Sequence, residues 1–483
     1  ETNGELCRMI LNQYGNEIKQ DRARTVLARY DAAQTTAENA AHWSMSTIWD
    51  ADREADPATR STLRSRARYE SANNPWLQGM IQTKAFDIIG TGPRLQVLTP
   101  KEKLNNAIEA EFIEWAKRIN LAEKLHTLRM AQSRDGEAFA VLISNGNLPG
   151  KIKLDLQLVE ADCISASYRS EIFAGNEVDG IRYDIFGNPV SYNVIPHPGS
   201  GNVTGKGIRI AAENIIHLYL PERPGQHRGV PEITAALPLL AMLRRYTLAM
   251  VKKMETSANI SGVIHTGDTG DGNEENELDE FTPFSLPRDA FAALPKGYSL
   301  QSHAMTNPTD SQREFALQVK TELARCLNLP KNVALGDSSS YNYASGRMDY
   351  QAYDKYLNVE RMRISNTVLS RIMQSWLGEF WPQSSYKRIE PLDYIWFWDG
   401  RAHVDPVKEA NAEMQRLLNG TTTLAIECAR QGYDWEQIQD QRLREELREI
   451  QQRKQIGLPE KGEARILYNE PDEPQEQGGN NAE

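Results

Sequence analysis

Apolar positions in residues 104–118 recur every three or four residues, at Ala107, Ile108, Phe112 and Trp115, which predicts a helix with one buried face that Asn120 ends. A helical pattern starts earlier, at Ser61, and resumes after Asn74 and Pro75 through Trp76, Met80, Ile81 and Phe86. Gly90, Gly92 and Pro93 stop it, as Gly and Pro do just past a helix end. Residues before about 70 are polar with scattered aromatics (Tyr30, Trp43, Trp49) and read as an extended or partly helical arm. From Glu137 to Val203 the pattern turns β-like. AFAVLIS, IKLDLQLVE and VSYNVI are β-branched or alternating runs punctuated by Asn145, Gly146, Gly150, Gly187 and Pro189, which predicts a mostly antiparallel sheet. Within it GIRYDIFGNPVSYNVI reads as a hairpin turning at Phe186, Gly187 and Asn188.

The helical period returns after Pro238. LLAMLRRYTLAMVKKMETSA runs about 20 residues without another Gly or Pro, roughly 30 Å of helix. Leu239, Leu240, Leu243, Ala249 and Met250 supply its apolar side, against Arg244, Arg245, Lys252 and Lys253. Residues 261–308 break into β-like and turn-rich sequence, and a second helix is expected from Ser311 to Leu327. Two helices flanking an excursion read as a stalk carrying a tip. After Pro330 comes a small-sided polar segment, ALGDSSSYNYASG, and then a third helix from about Arg347 to Leu377, about 46 Å long. An aromatic strand, DYIWFWDG, follows, with one or two helices over 403–456 split near Gly432. Residues 457–483, rich in Glu, Gln, Pro, Gly and Asn, are expected to be disordered. No internal repeat is present.

Length makes several domains the expectation: 483 residues are about three domains' worth of chain. The 40% apolar content is enough for real cores. Against 55 Lys and Arg stand 66 Asp and Glu, a net charge of −11, which argues against a protein that coats nucleic acid but not against one that lets DNA pass. The four cysteines, Cys7, Cys163, Cys326 and Cys428, lie far apart without a CxxC pair and read as reduced thiols. The apolar stretch Ile233–Leu243 is too short to cross a bilayer, so no membrane partner is expected. ETNGELCRMI lacks the basic start and apolar stretch of a signal peptide, so no export is expected.

Candidate chemistry is sparse. GTGPRL at Gly90 puts Leu95 where a dinucleotide loop needs its third glycine. GSGNVTGKG at 199–207 has Ser200 and Gly207 where a phosphate loop needs Gly and a hydroxyl, and reads as a hairpin tip. The acidic stretch Asp268–Glu280 lacks the ligand alternation of a calcium-binding loop and reads as a solvated loop. Eight dispersed histidines form no zinc pattern. His217, in the apolar run IIHLYL, reads as a packed strand histidine; His227, beside Arg223 and Arg228, is as well suited to a structural turn as to an interaction site. Arg134, Asp135 and Glu137 in SRDGEAFAVL read as a surface ion pair or a turn leading into a strand, ahead of an acid/base pair. With no nucleophile, metal or cofactor constellation, the expectation is a structural part without a cofactor, not an enzyme.

Five strings carry a resemblance: RARYESANNPWLQGMIQTKAFDIIGTGPRLQ (66–96), QSRDGEAFAVL (132–142), GIRYDIFGNPVSYNV (180–194), HLYLPERPGQHRGVPEI (217–233) and SSSYNYASGRMDY (338–350). In this order and spacing the chain resembles the lambda-type portal proteins of tailed bacteriophages over about 30–400. The resemblance implies an α+β, multi-domain portal fold. Its parts would be an N-terminal arm (1–29), a wing (30–234) with a mixed or antiparallel sheet, a stem helix (235–260), a small clip (261–308), a second stem helix (309–334), a tunnel loop (335–346), a long helix and wing strand (347–402), a helical crown (403–456) and a disordered tail (457–483). It implies a dodecameric ring at one capsid vertex of the virion, assembled in the host cytoplasm. Double-stranded DNA would pass through without sequence preference. The terminase large subunit, the major capsid protein, scaffold and a head-completion or tail adaptor would be partners.

On that resemblance Ser338, Ser339, Ser340, Tyr341, Asn342 and Tyr343 would line the channel, offering hydroxyl and amide contacts to the DNA backbone. An ordinary loop before a helix is the bland alternative. Lys252 and Lys253 would form a basic belt in the stem, or simply stabilise a negative helix terminus. The clip would present Asp268, Asp271, Glu274 and Glu275, and repeating that weak site around a ring gains avidity for the motor and connector. An acidic subunit avoids the salt-dependent drag of many phosphate contacts. Two other classes stay open: a metal-dependent DNA-processing enzyme of the same particles, using Asp268, Asp271 and Asp279, and a monomeric adaptor or scaffold.

Overall fold

The computed structural model describes residues 46–165, 177–195, 207–259, 263–266, 298–301, 310–339, 341–400 and 406–457. Helix α1 (Ala51–Glu54) is followed by α2 (Pro57–Asn73) and α3 (Pro75–Ile89). Helix α2 begins four residues before Ser61 because Asp56 and Pro57 supply both signals a start needs. The Asp56 carboxylate accepts the Thr59 N–H at 2.7 Å, and proline presets the first helical φ. Asn74 caps α3 in the same way, accepting from Trp76 and Leu77, and Gly90 ends it at φ 58°. Strand β1 (Arg94–Val97) leads to α4 (Glu102–Arg118), which buries Leu104, Ile108, Phe112 and Trp115. Asn120, at φ 52°, ends α4 and at once opens α5 (Leu121–Asp135). Helix α5 is absent from the sequence expectations: its buried face mixes Leu121, Leu125 and Leu128 with Arg129, Gln132 and Asp135, so the apolar period fades after two turns.

The β-rich region holds β2 (Glu137–Ser144), β3 (Leu154–Val159), β4 (Glu177–Val178), β5 (Ile181–Tyr183), β6 (Pro189–Val194), β7 (Ile208–Ala211) and β8 (Ile215–Tyr219). They form two antiparallel sheets, ordered β3-β2-β8 and β4-β5-β6-β7, and the expected hairpin is β5–β6. Strand β2 reads as nearly continuous apolar sequence because it serves two cores. Ala138, Ala140 and Leu142 face the main core, and Phe139 and Val141 face a smaller one with Ile164, Ile181, Tyr192 and Ile215. Between β4 and β5, Asp179 (φ 41°) and Gly180 (φ 83°) make a two-residue turn with both φ positive, the geometry an Asp-Gly pair favours. Residues 199–206 of the glycine-rich string lie outside the described residues.

Helix α6 (Leu237–Asn259) and α7 (Asp310–Cys326) flank the excursion, whose described part is an antiparallel pair, β9 (Val263–Thr266) with β10 (Tyr298–Gln301). The short α8 (Lys331–Leu335) precedes α9 (Tyr343–Ile364). A π-helical segment, Ser365–Leu369, joins α9 without a break to α10 (Ser370–Gln383). The run extends beyond the expected Arg347–Leu377 at both ends, about 60 Å in all. It starts early because Asn342 and Ser345 close a capping box. Leu357, Ile364, Val368, Ile372 and Trp376 enter the main core, where Trp376 meets Phe112 edge to face at 5.4 Å. Strand β11 (Tyr394–Phe397) pairs with β1 from Arg94↔Phe397 to Val97↔Tyr394 and so brings distant parts of the chain together. Among the described residues the C-terminal part contains three helices where one or two were expected: α11 (Pro406–Leu418), α12 (Leu424–Arg430) and α13 (Trp435–Gln455), with Gly432 at the α12–α13 turn.

Candidate functional site

Helix α2 carries Arg60, Arg64 and Arg68 at four-residue spacing, which sets them along one face. Arg60 reaches Asp179 at 2.6 Å, Arg64 reaches Glu137 at 3.2 Å and Asp162 at 3.0 Å, and Arg68 reaches Asp135 at 2.9 Å and Asp162 at 2.6 Å. At the centre lie Glu137, the first residue of β2, and Arg228, from the loop after β8; both side chains are completely buried. Arg228 donates to the Glu137 carboxylate from Nε at 2.9 Å and Nη2 at 2.7 Å. Its Nη1 donates to Asp179 Oδ2 at 2.9 Å and to the Asp179 carbonyl at 2.6 Å. Glu137 also accepts from the Gly229 N–H at 3.1 Å and His217 Nε2 at 3.1 Å. Burial alone pushes this carboxyl up, but Arg228 and the bonds from His217 and Arg228 hold it well below the usual range. Burial lowers the His217 pKa, so the ring is neutral near pH 7; it is stacked between Phe139 and Tyr219, each 4.3 Å away.

The approach of the 228–231 loop depends on glycine. Gly136 has φ 88°, and a β-carbon there would lie 2.6 Å from the Pro231 nitrogen and 2.7 Å from Val230 Cα. A second buried group adjoins the first. Glu232 receives Lys84 at 2.9 Å, Arg129 at 3.0 Å and the Ser133 hydroxyl at 2.7 Å, and Arg129 lies 3.5 Å from Glu360 on α9. Burial raises the Glu232 pKa, yet Arg129 and Lys84 outweigh it and hold the carboxyl far down.

These contacts correct one expectation. Asp135 and Glu137 do flank a turn into a strand, at Gly136, but both carboxylates are buried, and only Arg134, 3.5 Å from Asp135, keeps the exposure expected of a surface pair. Nor does Glu137 suit acid/base work, because it is held ionised and its oxygens are filled by fixed donors. His217 is the packed strand histidine expected, and His227 ties its turn to α1 through Asp52 at 2.6 Å. The sequence signals overlooked are the four-residue arginine spacing of α2 and the charged residues bordering the glycines of DGE and HRGVPE. Four of the five strings converge here: Arg68 and Lys84 come from the first, Asp135 and Glu137 from the second, Tyr183 from the third, whose hydroxyl donates to the His227 carbonyl at 3.4 Å, and His217, Arg228 and Glu232 from the fourth.

The fifth string forms a loop and the start of α9. Ser338 and Ser339 are exposed, and the Asp337 carboxylate accepts the Ser339 N–H at 2.9 Å. The Tyr341 N–H donates to the Ser338 carbonyl at 3.1 Å. Burial and the contact with Asp349 raise the Tyr341 pKa, so its hydroxyl keeps its proton near neutral pH. Asn342 is exposed, but its side-chain oxygen is engaged by the Ser345 N–H at 2.8 Å as the α9 cap. Tyr343 is the first residue of α9, and Ser340 lies outside the described residues. Lys252 and Lys253 are exposed on the last turns of α6. Asp268, Asp271, Glu274, Glu275 and Asp279 lie outside the described residues. Among the described residues no group of His, Cys, Asp and Glu is placed to hold a metal, and no helix is long and apolar enough to cross a membrane.

Residues 37–361 match the family of phage portal proteins, lambda family, and the chain belongs to it. Portal proteins are the head–tail connectors of phage particles, structural components of the virion. Three solved structures are similar at low identity. The neck of an empty gene transfer agent particle, with C6 symmetry, matches at TM-score 0.49 and 16% identity, covering 77% of this chain and 93% of that one. The neck of the native particle, with C12 symmetry, gives 0.48 and 15%, covering 78% and 94%. An HK97 family phage portal protein from Corynebacterium diphtheriae gives 0.30 and 12%, covering 71% and 96%.

Proposed function

We propose that copies of this chain close into a dodecameric ring at one capsid vertex, and that the ring is the channel through which double-stranded DNA is packaged and ejected. The match of residues 37–361 to the lambda portal family carries the reading. Residues 30–234 and 347–402 make the wing, 235–260 and 309–334 the stem, 261–308 the clip, 335–346 the tunnel loop and 403–456 the crown, with an arm at 1–29 and a tail at 457–483. In support of the stem, Tyr246 of α6 meets Phe315 of α7 edge to face at 5.0 Å, and β9 and β10 run antiparallel between the two helices in sequence. Met242, Leu248, Val251 and Met254 of α6 are exposed in the single chain, an apolar surface that neighbouring stems would cover. The buried arginine–carboxylate group suits a part under mechanical load, since it fixes α2, β2, the β4–β5 turn and the 228–232 loop to one another.

In this reading Ser338 and Ser339 meet the DNA backbone directly, while Tyr341 and Asn342 shape the loop beneath them. Lys252 and Lys253 form the basic belt of the stem. With a net charge of −11 the subunit lacks the surplus of basic groups that would grip phosphates, so duplex slides without sequence preference. The clip, with Asp268, Asp271, Glu274 and Glu275, docks the terminase large subunit and later the head-completion or tail adaptor, and the wing meets the major capsid protein and scaffold. Replacing Ser339 by arginine tests the channel assignment: rings form as in the wild type, and packaged or retained DNA falls severalfold. Normal packaging with that variant removes the loop from the channel.

A further inference from the structure

The turn between α12 and α13 is where the C-terminal helices meet the body of the chain. The Arg94 guanidinium donates to the Gly432 carbonyl, and Arg94 Nη2 lies 3.5 Å from Asp399 Oδ1. Beside this anchor a cleft of about 530 Å³ separates α4 from the start of α13. Four carboxylates besides Glu109 line it: Glu102 from α4, and Asp434, Glu436 and Asp440 from the other side. Glu109 projects from α4 and accepts the Val97 N–H of β1 at 2.6 Å. Asp434 caps α13, accepting the Glu436 N–H at 2.9 Å. The other charged groups near Glu109 line an adjoining cavity of about 500 Å³: Arg94 of β1, Lys117 of α4 and Glu123 of α5. Arg94 is committed to the anchor, and Lys117 lies 3.0 Å from Glu114.

We propose that seating the first turn of α13 against α4 is coupled to proton uptake at Glu109, so that the C-terminal helices hold to the body more tightly in mild acid than above neutrality. The geometry brings carboxylates of two elements face to face across one cleft, and with every group ionised they repel. The electrostatics agree. The Glu109 carboxyl is pushed up to about 7, first by burial and then by Asp434 and Glu436, against the opposing Val97 bond. Burial, then Asp434, Glu102 and Asp440, raise Glu436 as well. Releasing α13 removes part of this environment and lets the Glu109 pKa fall, so docking binds a proton. Docking is therefore strongest where Glu109 is protonated in both states, weakens as the pH climbs toward about 7, and stays constant above that value.

Hydrogen exchange on the full-length protein tests this. Backbone amides of residues 435–455, corrected for intrinsic rates, are compared at about pH 5.5 and 8.5, with the α5 amides as an internal reference. Wild-type protection of α13 falls severalfold, up to about tenfold, from the lower to the higher pH while α5 does not change, as expected for a coupled shift of up to one pH unit. Glu109→Gln, which keeps an oxygen for the Val97 N–H, holds the low-pH protection at both values, and Glu436→Gln narrows the difference. Equal wild-type protection at both pH values overturns the proposal. So does a fall that neither variant reduces, because titration then lies elsewhere.

Discussion

Replacing Arg228 by alanine removes one guanidinium and leaves its partners in place. Arg228 and Glu137 are both completely buried, so solvent cannot readily take over the lost contacts. The Glu137 carboxylate keeps Arg64 at 3.2 Å and His217 at 3.1 Å, and Asp179 keeps Arg60 at 2.6 Å. The carbonyls of Ile164 and Asp179, which accept from Arg228 at 3.2 and 2.6 Å, lose that donor. Breaking a buried pair by removing one partner costs about 3–5 kcal/mol, and the surviving contacts to Glu137 place this case at the lower end, about 3 kcal/mol. Arg228→Lys keeps the charge without the planar fork and costs about half as much. The double variant Glu137→Gln/Arg228→Met removes the uncompensated charge and recovers part of the loss. Urea unfolding followed by tryptophan fluorescence reads all three, and the ordering of midpoints is the test. An Arg228→Ala protein within about 1 kcal/mol of wild type, or a double variant less stable than Arg228→Ala, would show that the pair is not what fixes this region.

Acid should act through the same group. Glu137 and Glu232 have folded-state pKa values held below the ordinary 4.5, so their contribution is full above that value and is lost as the pH falls below it; unfolding midpoints at pH 5 and pH 3 read the change. A drop between pH 5 and pH 3 as large as the wild type's in a Glu137→Gln/Glu232→Gln protein would assign the acid sensitivity elsewhere. Gly136→Ala forces a side chain into a left-handed backbone position against Val230 and Pro231, and thermal unfolding should show a loss of about 2 kcal/mol or more. Asn342→Ala removes the α9 cap and costs about 1 kcal/mol, with Asn342→Asp close to wild type. Equal losses in the two Asn342 variants would mean that capping is not its role.

Legibility of the sequence followed how directly each element's function shows in its side chains. Helix α4, the β5–β6 hairpin and the flanking helices α6 and α7 were readable because their apolar spacing or turn residues serve local structure alone. Helix α5 and the buried face of α2 were obscured because they bury arginine and glutamate in α2 and arginine, glutamine and aspartate in α5, which a hydrophobic period counts as surface. Arg60, Arg64 and Arg68 look like a solvated face until Asp179, Glu137 and Asp135 arrive from elsewhere in the chain. For the same reason Arg134, Asp135 and Glu137 read as a surface ion pair or a turn: the partners that meet the two carboxylates, Arg68 for Asp135 and Arg228 for Glu137, lie 67 and 91 positions away. The loop at 338–342 showed its polarity in sequence, but not that Asn342 is committed to capping α9, because a cap and a ligand contact use the same amide.

A reconstruction of the purified assembly bears most directly on the channel. The account predicts closed rings of many copies around an opening wide enough for duplex DNA, with Ser338 and Ser339 of every copy on its wall. Single subunits, rings without a central opening, or Ser338 and Ser339 on the outer rim would contradict it.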